Sequence, residues 1–380
     1  MVEVVSIGIV LRSFALGGSE RIAIRLARQW AACGHQVTLL MGSSEGRQAT
    51  LLADTVPTGA LAIITAPPGK LEAAKGKARS GRAFGEWCGE EANARNLSVL
   101  FVPGNSYYPA IRAMRKSAGP QTRIIAQISN PIVRTDKSAL RNFIFSWICR
   151  YRLKAVTTAV AMSPNLASDA RRALGKHIAV ATVTSPILDA ANFKEAKRAR
   201  DGERNPKQLC VVARLEAQKN VEFAISALAA LPDREMVLHI AGDGRLRHSL
   251  EAHAVKLGVD KRVIFHGILD DVTPLFRQSA ALLLTSNFEG YPAVAVESLA
   301  QGTPVIARRC SNAMEEILTD HRHGRIVETR CPIAYAQTVT AFLSQPPAAR
   351  QIDAKDQYTR YDITSVAQSY ERLFAPLSDA

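Results

Sequence analysis

The sequence lacks a hydrophobic run long enough to cross a membrane. Its 380 residues are 47% apolar and 22% charged, a globular composition that excludes a disordered or fibrous protein. The apolar stretch Val4–Leu11 is far shorter than the roughly 18 residues of a spanning helix. It follows Glu3 and has no small-residue cleavage site behind it, so it predicts a first β-strand, not a signal peptide. We therefore expect the protein to be made and kept in the cytoplasm.

Clustered cysteines are also absent. A disulfide framework or a zinc site would bring cysteines together in the sequence. We therefore expect reduced thiols, most of them buried, and no metal. The cysteines are scattered, with no CxxC pair and no histidine at ligand spacing: Cys33, Cys88, Cys149, Cys210, Cys310 and Cys331.

The N-terminal half has few acidic residues. Residues 1–185 carry 24 Lys and Arg against 10 Asp and Glu, whereas residues 186–380 carry 24 of each kind. The whole net charge of +14 therefore belongs to the N-terminal half, which indicates an anionic partner for that half. No helix-turn-helix, zinc-finger or aromatic RNA-binding pattern accompanies the charge, so we do not expect a nucleic acid.

One basic group flanks an aromatic and aliphatic segment, residues 137–154. Basic flanks around such a face are typical of a helix at a membrane interface. The other hypothesis is that the apolar residues are core and the arginines form a solvated rim, and the sequence leaves both open. The large apolar residues are Leu140, Phe143, Ile144, Phe145, Trp147 and Ile148, and the basic ones are Lys137, Arg141, Arg150, Arg152 and Lys154.

Short β-branched runs alternate with amphipathic helical patterns, which is typical of βαβ units around parallel sheets. We predict two doubly wound, Rossmann-like α/β domains, 1–188 and 207–360, that face a central cleft and are joined by a polar linker, 189–206. The spacing in 361–380 predicts a last helix, with packing back on the N-terminal domain as one option. Predicted strands are Val4–Leu11, Gln36–Met41, Leu61–Thr65, Ser98–Val102, Arg123–Ile128, Thr157–Ala161, Gln208–Ala213, Glu235–Ala241, Val263–His266, Ala281–Leu284 and Pro304–Ala307.

Glycine pairs follow predicted strands at two places. Gly17 and Gly18 open a helix, where backbone N–H groups can approach an anion. The alternative is a tight turn capped by Ser19. The run Gly242–Gly244 is similar to a dinucleotide fingerprint, but Arg247 stands at the third glycine position. It is therefore a poor NAD site, and a plain turn is the alternative there.

Charged residues follow two other predicted strands. Arg214 and Lys219 lie five residues apart in one loop, where they could clamp a diphosphate or simply be solvated. Glu289 precedes a helix predicted to have Pro292 at its first position, and Glu297 lies within that helix. Both carboxylates could accept hydrogen bonds from a hydroxyl-rich ligand. A buried, unpaired glutamate is costly, which favours a functional or bridged role for Glu297.

Together these motifs resemble the family 4 retaining glycosyltransferases, which have the GT-B fold. They occur in the family's order: an early Gly-Gly loop, the Arg…Lys-Asn loop, Gly-Asp-Gly, and Glu-x7-Glu, followed by a similar stretch at 298–307. The similarity is dense over 207–325 and looser before it. The resemblance implies transfer of a sugar from a nucleotide diphosphate, UDP ahead of GDP, by a hexosyltransferase-type enzyme without a metal or other cofactor.

The resemblance also implies residue roles. Arg214 and Lys219 would stabilise the leaving diphosphate, and Glu289 would lie near the sugar, where same-face attack ranks above Glu289 as nucleophile. The family's usual His after the fourth strand is Asn105 here, which positions a hydroxyl but cannot act as a base. Asn105 and Asn130 are the acceptor-side candidates. The donor-binding candidates are Gly17, Gly18, Gly242, Gly290, Tyr291, Pro292, Ala293 and Glu297.

Members of this family often build cell-surface polysaccharide or glycolipid on lipid-linked acceptors. The resemblance therefore implies a peripheral protein at the inner face of the cell membrane, with the basic N-terminal half on anionic headgroups. Two alternatives remain. A nucleotide-sugar epimerase on the same scaffold would turn over a UDP-sugar without an acceptor, and a non-catalytic two-domain binding protein would turn over nothing.

Overall fold

The structure is a computed structural model that describes residues 4–14, 18–43, 45, 60–69, 71, 77–134, 137–188, 204–353 and 359–374. The chain divides into two compact units. The N-terminal unit is Met1–Pro186 with Asp362–Ala380, and the C-terminal unit is Ile187–Tyr361. Of the predicted linker 189–206, residues 189–203 lie outside the described residues. Asn205 and Pro206 are not linker, because they begin the first strand of the C-terminal unit.

The N-terminal unit is built on a parallel sheet of seven described strands, in the order β3-β2-β1-β4-β5-β6-β7. The central strands are buried on both faces, so they have continuous apolar runs. The strands are β1 (Ser6–Leu11), β2 (Gln36–Met41), β3 (Leu61–Thr65), β4 (Val99–Val102), β5 (Arg123–Ile128), β6 (Thr158–Ala161) and β7 (Val180–Thr182). The helices are α1 (Gly18–Ala32), α2 (Lys77–Ala94), α3 (Tyr108–Ser117), α4 (Ala139–Leu153) and α5 (Pro164–Leu174).

The C-terminal unit repeats this plan with a parallel sheet in the order β10-β9-β8-β11-β12-β13. Its strands are β8 (Asn205–Val212), β9 (Val237–Ala241), β10 (Val263–Gly267), β11 (Ser279–Leu284), β12 (Val305–Arg308) and β13 (Gly324–Val327). Its helices are α6 (Val221–Ala230), α7 (Arg247–Lys256), α8 (Thr273–Gln278), α9 (Ala293–Ala300), α10 (Met314–Ile317) and α11 (Pro332–Leu343).

Both sheets are Rossmann-like, and the strand order of each reverses at one place. In the N-terminal sheet the reversal lies between β1 and β4, and in the C-terminal sheet between β8 and β11. At such a reversal the loops that follow the two strands turn toward opposite faces of the sheet, which leaves a crevice at the carboxyl edge where ligands of this fold class bind. The two reversals therefore locate the candidate sites.

The last helix, α12 (Ile363–Glu371), belongs to the N-terminal unit although it ends the described chain. The Tyr370 ring packs edge-on against Trp30 and Phe101, with centroids 6.0 and 5.4 Å away. Gln127 Nε2 donates to the Tyr370 hydroxyl over 3.0 Å, and Phe374 packs on Trp30 at 5.2 Å. The helix thus completes the core of the N-terminal unit.

The chain passes between the units at two neighbouring points. The Tyr361 carbonyl accepts hydrogen bonds from the N–H groups of Ile187 (3.2 Å) and Leu188 (3.0 Å), so the two passages are joined. The Tyr361 side chain is buried, and the Tyr291 hydroxyl donates to its hydroxyl over 2.8 Å.

The segment 137–154 forms α4, and the hypothesis that its large apolar residues are core is wrong. Leu140, Phe143 and Trp147 are exposed, and only the opposite face of the helix is buried. None of the helices in the described chain is both long and apolar enough to span a bilayer.

The six thiols are free, with Cys33 and Cys331 exposed and the other four buried. Within the described residues, no group of three or more His, Cys, Asp or Glu side chains is placed to hold a metal ion.

Candidate active site

Two loops meet at the strand reversal of the C-terminal sheet. The β8 loop, residues 213–220, and the β11 loop, residues 285–292, follow adjacent strands. The Asn287 N–H donates to the Gln218 carbonyl over 2.8 Å, and Gln218 Nε2 donates to the Phe288 carbonyl over 3.0 Å. These reciprocal hydrogen bonds fix the position of each loop relative to the other.

An ion pair connects the two loops. Lys219 Nζ lies 2.6 Å from Glu289 Oε1, and the side chains are only 20% and 8% exposed. The Ser286 hydroxyl also donates to Oε1 over 2.6 Å, and the Glu289 N–H donates to the Cys310 carbonyl over 2.7 Å. Burial, and then the Glu289 carboxylate, raise the pKa of the Cys310 thiol, which keeps the thiol protonated. A lysine has three N–H donors, so Lys219 can bind an anion while it holds Glu289.

Arg214 is the second predicted cation of the β8 loop. Its side chain is half exposed, and its guanidinium pairs with Glu216 Oε1 over 3.1 Å. Such surface pairs contribute at most about 1 kcal/mol. The Arg214 guanidinium could therefore leave Glu216 and pair with a phosphate at little cost in free energy. It can donate two parallel hydrogen bonds to that phosphate.

Gly242 and Gly244 are glycines because the β8 loop lies directly against them. A Cβ on Gly242, whose φ is +133°, would lie 1.9 Å from the Ala213 carbonyl oxygen. One on Gly244 would lie 2.6 Å from the Leu215 carbonyl oxygen. The Leu215 N–H donates to the Asp243 carbonyl over 2.9 Å. The glycines thus support the loop that carries Arg214, and donor contact by Gly242 stays a prediction.

We expect Gly242→Ala to destabilise the C-terminal unit by about 2–4 kcal/mol, from a left-handed φ and a backbone clash together. Gly258→Ala is the matched control, because Gly258 also has a positive φ (+65°) but nothing within 4 Å of its Cβ position. It should cost only about 1–2 kcal/mol. Urea unfolding of both variants measures the difference, and equal losses would contradict the steric argument.

The predicted donor loop 290–293 leads into α9. The helix begins at Ala293, with Pro292 as its N-cap, so the prediction of Pro292 at the first helical position is wrong by one residue. The Gly290 carbonyl accepts from the Ser311 hydroxyl over 2.8 Å, and the Ala293 N–H donates to the Tyr291 carbonyl over 2.9 Å.

Glu297 lies one turn into α9 and is half-buried. Tyr291, in the same donor loop, is buried. Desolvation raises the pKa of its hydroxyl, which leaves the phenol neutral and able to donate to Tyr361.

At the carboxyl edge of the N-terminal sheet, next to its strand reversal, two further loops come together. The Asn105 side-chain oxygen accepts from the N–H groups of Ser129 (2.8 Å) and Asn130 (3.2 Å). Its Nδ2 donates to the Asn130 carbonyl over 3.0 Å. The two acceptor-side candidates are therefore adjacent, and the Asn105 amide connects the loops after β4 and β5.

Gly17 lies outside the described residues, whereas Gly18 begins α1. A Cβ on Gly104 would lie 2.9 Å from the Ser19 hydroxyl, so the first turn of α1 lies against the loop after β4. The Tyr107 hydroxyl donates to Glu20 Oε1 over 2.9 Å, which connects the same two elements. Gly18 thus lies at the carboxyl edge, near Asn105 in the fold.

Sequence reasoning missed three side chains that hold the β8 and β11 loops in place, namely Ser286, Asn287 and Arg308. Arg308 NH1 donates to the Thr285 carbonyl and to the Asn287 side-chain oxygen, both over 3.2 Å. Its guanidinium lies 4.6 Å from the Phe223 ring centre. Asn287 lies two residues before Glu289, the start of the Glu-x7-Glu motif, and could have been singled out, whereas Ser286 and Arg308 carry no sequence signal of their own.

Part of the chain is similar in sequence to known glycosyl transferases. Residues 193–357 match the family model described as "Glycosyl transferases group 1". The chain also aligns with the GDP-mannose-dependent alpha-(1-6)-phosphatidylinositol dimannoside mannosyltransferase of Mycobacterium tuberculosis (strain ATCC 25177 / H37Ra). That match is 35% identical over 181 residues, 45% of this chain and 46% of the relative.

A second relative is the GalNAc-alpha-(1->4)-GalNAc-alpha-(1->3)-diNAcBac-PP-undecaprenol alpha-1,4-N-acetyl-D-galactosaminyltransferase of Campylobacter jejuni. It is 28% identical over 175 residues, 44% of this chain and 48% of the relative. The matches thus span about half the length of these curated relatives.

The fold extends further than the sequence similarity. The crystal structure of Anabaena HepE in complex with UDP and glucose superposes with a TM-score of 0.75 at 16% identity, and covers 97% of this chain and 99% of that one. The chain therefore has the GT-B fold of two Rossmann-like units.

Proposed function

We propose that the protein, whose residues 193–357 match the group 1 glycosyl transferases, is a retaining, metal-independent glycosyltransferase. It moves a sugar from a nucleoside diphosphate, UDP ahead of GDP, to a lipid-linked or membrane-associated saccharide in cell-surface polysaccharide or glycolipid biosynthesis. The observation that carries the proposal is the Lys219–Glu289 ion pair at the strand reversal of the C-terminal sheet.

The positive charges answer the main electrostatic need of the reaction. The diphosphate gains negative charge as its bond to the sugar breaks, and a preorganised cation stabilises that charge more than it stabilises the ground state. Lys219 is held in place by Glu289, and Arg214 can leave Glu216 at little cost. These two cations supply the charge that a metal would otherwise bring, and Glu297 accepts from the ribose hydroxyls.

Retention follows from same-face attack. The acceptor oxygen bonds to the anomeric carbon on the face from which the diphosphate leaves, and the acceptor proton passes to the departing phosphate oxygen. Glu289 serves the sugar as a hydrogen-bond acceptor and not as the nucleophile. Its Oε1 already accepts from Lys219 and Ser286, and these donors stabilise the charge that a nucleophile would have to share.

The relatives support the donor and acceptor classes. HepE was solved with UDP, whereas the mycobacterial relative is named for GDP-mannose, so GDP is the competitor to test. The name of the Campylobacter relative includes an undecaprenol-linked saccharide. The basic N-terminal half suits an anionic membrane surface, so we place the enzyme peripherally at the inner face of the cell membrane, with Asn105 and Asn130 on the acceptor side.

Thermal unfolding with UDP, GDP, ADP and NAD tests the donor. UDP at about 100 times its Kd should add about 2.7 kcal/mol of stability, and Arg214→Ala should lose most of that gain. Lys207→Ala is the matched control, because Lys207 is a cation of the same unit that pairs with Asp233 and Glu235. It should keep the full UDP response.

Four outcomes would contradict the proposal. If none of the nucleotides raised the stability, the proposed donor site would be contradicted. If Arg214→Ala and Lys207→Ala lost the same part of the UDP stabilisation, the role of Arg214 would be contradicted. Conversion of a UDP-sugar to its epimer without an acceptor would favour the epimerase. NMR of the product reads its anomeric configuration, and inversion would overturn same-face attack.

A further inference from the structure

One face of α4 is an exposed apolar stripe. Five large side chains point to solvent at the spacing i, i+3, i+4, i+7 and i+11, which places them on a single helix face. The opposite face, with Ser146, Cys149 and Leu153, is the buried one. The α4 stripe consists of Leu140 (68% exposed), Phe143 (70%), Ile144 (49%), Trp147 (60%) and Tyr151 (51%).

An exposed stripe of this kind is unusual, since an apolar helix face normally packs against the core. Helix α4 has apolar residues on both faces, and the described chain covers only one of them. The stripe is therefore available to a partner.

The charged residues of α4 itself all have one sign. At roughly 100° per residue, Arg141 and Arg152 lie on one side of the stripe, and Arg150 lies on the other. Lys154 follows the helix directly, and residues 139–153 contain no acidic residue. An apolar face between cationic flanks is complementary to an anionic surface that has an apolar interior.

Two aromatic residues of the stripe, Trp147 and Tyr151, are of the types that anchor proteins at a membrane interface. The Trp147 and Tyr151 rings stack at 6.1 Å with an interplanar angle of 11°. The Arg112 guanidinium lies 4.0 Å from the Tyr151 ring centre, and its NH1 donates to the Tyr151 carbonyl over 3.1 Å. Tryptophan and tyrosine prefer the headgroup level of a bilayer, because one end of each ring system is apolar and the other is polar.

We propose that the α4 stripe inserts into the interfacial layer of an anionic lipid membrane, with the flanking arginines and Lys154 on the headgroups. This inference rests on the proposed function, which includes a membrane partner, and it adds which surface of the chain contacts the membrane. A second copy of the chain fits less well. A symmetric contact would place the same face against itself and would bring like charges together.

Tryptophan fluorescence can detect insertion. The chain has three tryptophans, of which Trp30 and Trp87 are buried and Trp147 is exposed. Vesicles of phosphatidylcholine with phosphatidylglycerol should shift the emission of the full chain to the blue, whereas pure phosphatidylcholine should not. Trp147→Phe should remove the shift yet still sediment with the anionic vesicles, since phenylalanine keeps the stripe apolar.

Vesicle sedimentation measures what the stripe contributes. The double variant Phe143→Ser/Trp147→Ser should lower the partition coefficient at least roughly tenfold. The control Val255→Ser/Ile333→Ser should leave it unchanged, because Val255 and Ile333 are equally exposed but lie in the C-terminal unit. The stripe substitutions remove no buried contact, so the melting temperature should stay within a few degrees.

Charge is tested in the same assay. Arg141→Gln/Lys154→Gln should weaken binding and flatten its decline with salt, and Lys256→Gln/Lys261→Gln in the C-terminal unit is the control with equal charge loss. Binding of wild type should fall steeply as the salt concentration rises, since the Debye length shrinks from about 10 Å at 0.1 M to about 3 Å at 1 M.

Several results would overturn the inference: no blue shift with anionic vesicles, binding that is insensitive to salt, or equal losses in the stripe and control variants. Stripe variants that change the oligomeric state but not vesicle binding would assign the surface to a second copy. Stabilisation by UDP should survive in the Phe143→Ser/Trp147→Ser variant. Loss of vesicle binding and loss of nucleotide binding can therefore be told apart.

Discussion

Lys219→Ala should lower kcat/KM by about 10²–10³-fold, the usual cost of removing one preorganised charge from a transition state. The loss should fall mainly on kcat, because the charge on the diphosphate develops as the sugar leaves. Steady-state kinetics with the UDP-sugar that supports turnover measure the effect.

Two causes of that loss must be separated. Removing Lys219 also leaves the Glu289 carboxylate buried without its cation, which destabilises a protein by about 3–5 kcal/mol when the pair is fully buried. The double variant Lys219→Met/Glu289→Gln removes both charges at similar volume. It should keep the stability of wild type within about 1 kcal/mol, since neutral replacement of such a pair is often tolerated, while its activity stays as low as that of Lys219→Ala.

Recovery of activity in the double variant would contradict the electrostatic role, because it would mean that Lys219 only neutralises Glu289. Glu289→Gln alone gives a further distinction. It keeps an acceptor for Ser286 and leaves Lys219 charged, so an enzyme that uses Glu289 only as an acceptor should retain part of its turnover. A trapped covalent sugar on Glu289 would instead show that it is the nucleophile.

Truncation after Tyr361 should unfold the N-terminal unit. The segment 363–374 buries several large side chains against that unit, among them Val366 and Tyr370 of α12 and Phe374 just after it. Full burial of each is worth about 1.5–3 kcal/mol, and the sum approaches the whole stability of a typical domain, about 5–15 kcal/mol. All three tryptophans lie in the N-terminal unit, so urea unfolding followed by tryptophan fluorescence reports this unit alone.

Point variants give the same test at smaller scale. Tyr370→Ala should cost about 3–5 kcal/mol, because it leaves a cavity beside Trp30 and Phe101. Tyr370→Phe keeps the ring and only leaves the Gln127 amide without its hydroxyl acceptor. It should therefore lower the free energy of unfolding by about 1–3 kcal/mol. A truncated chain with an unchanged fluorescence transition would show that α12 is dispensable to the core.

Much of the fold could be predicted from local pattern. Strands β2, β3 and β5 match the predicted bounds residue for residue, because each is a β-branched run between clear turn signals. Strands β7 and β13 were not predicted. They are edge strands of three and four residues with half-buried side chains, which are too short to establish a period of two.

Other features depend on contacts that the sequence does not contain. Periodicity identified the helical segment around Phe143 but could not say which of its two apolar faces would be covered. In the same way Arg204, in the predicted polar linker, binds the Ser279 and Gly302 carbonyls over 2.9 and 3.0 Å, and burial lowers its pKa. The polar composition of this segment predicted a linker, although Arg204 is fixed to the C-terminal unit by these hydrogen bonds.

The site could be predicted in part. Lys219 and Glu289 were named as separate motifs, and the structure brings them together because β8 and β11 are neighbours despite the 70 residues between them. Gly242 was predicted as a donor residue, whereas its glycine requirement comes from the Ala213 carbonyl. That requirement depends on a loop almost 30 residues earlier in the chain, so no local pattern could predict it.

The return of α12 to the N-terminal unit limits how this protein can be recombined. A chimera that exchanges residues 1–186 with those of a relative would leave the native α12 facing a foreign Trp30 pocket. The tail after Tyr361 must therefore be exchanged together with the N-terminal half. The joint at Ile187, Leu188 and Tyr361 is the natural place for both cuts, and an acceptor specificity carried by the first half would be inherited with the last helix.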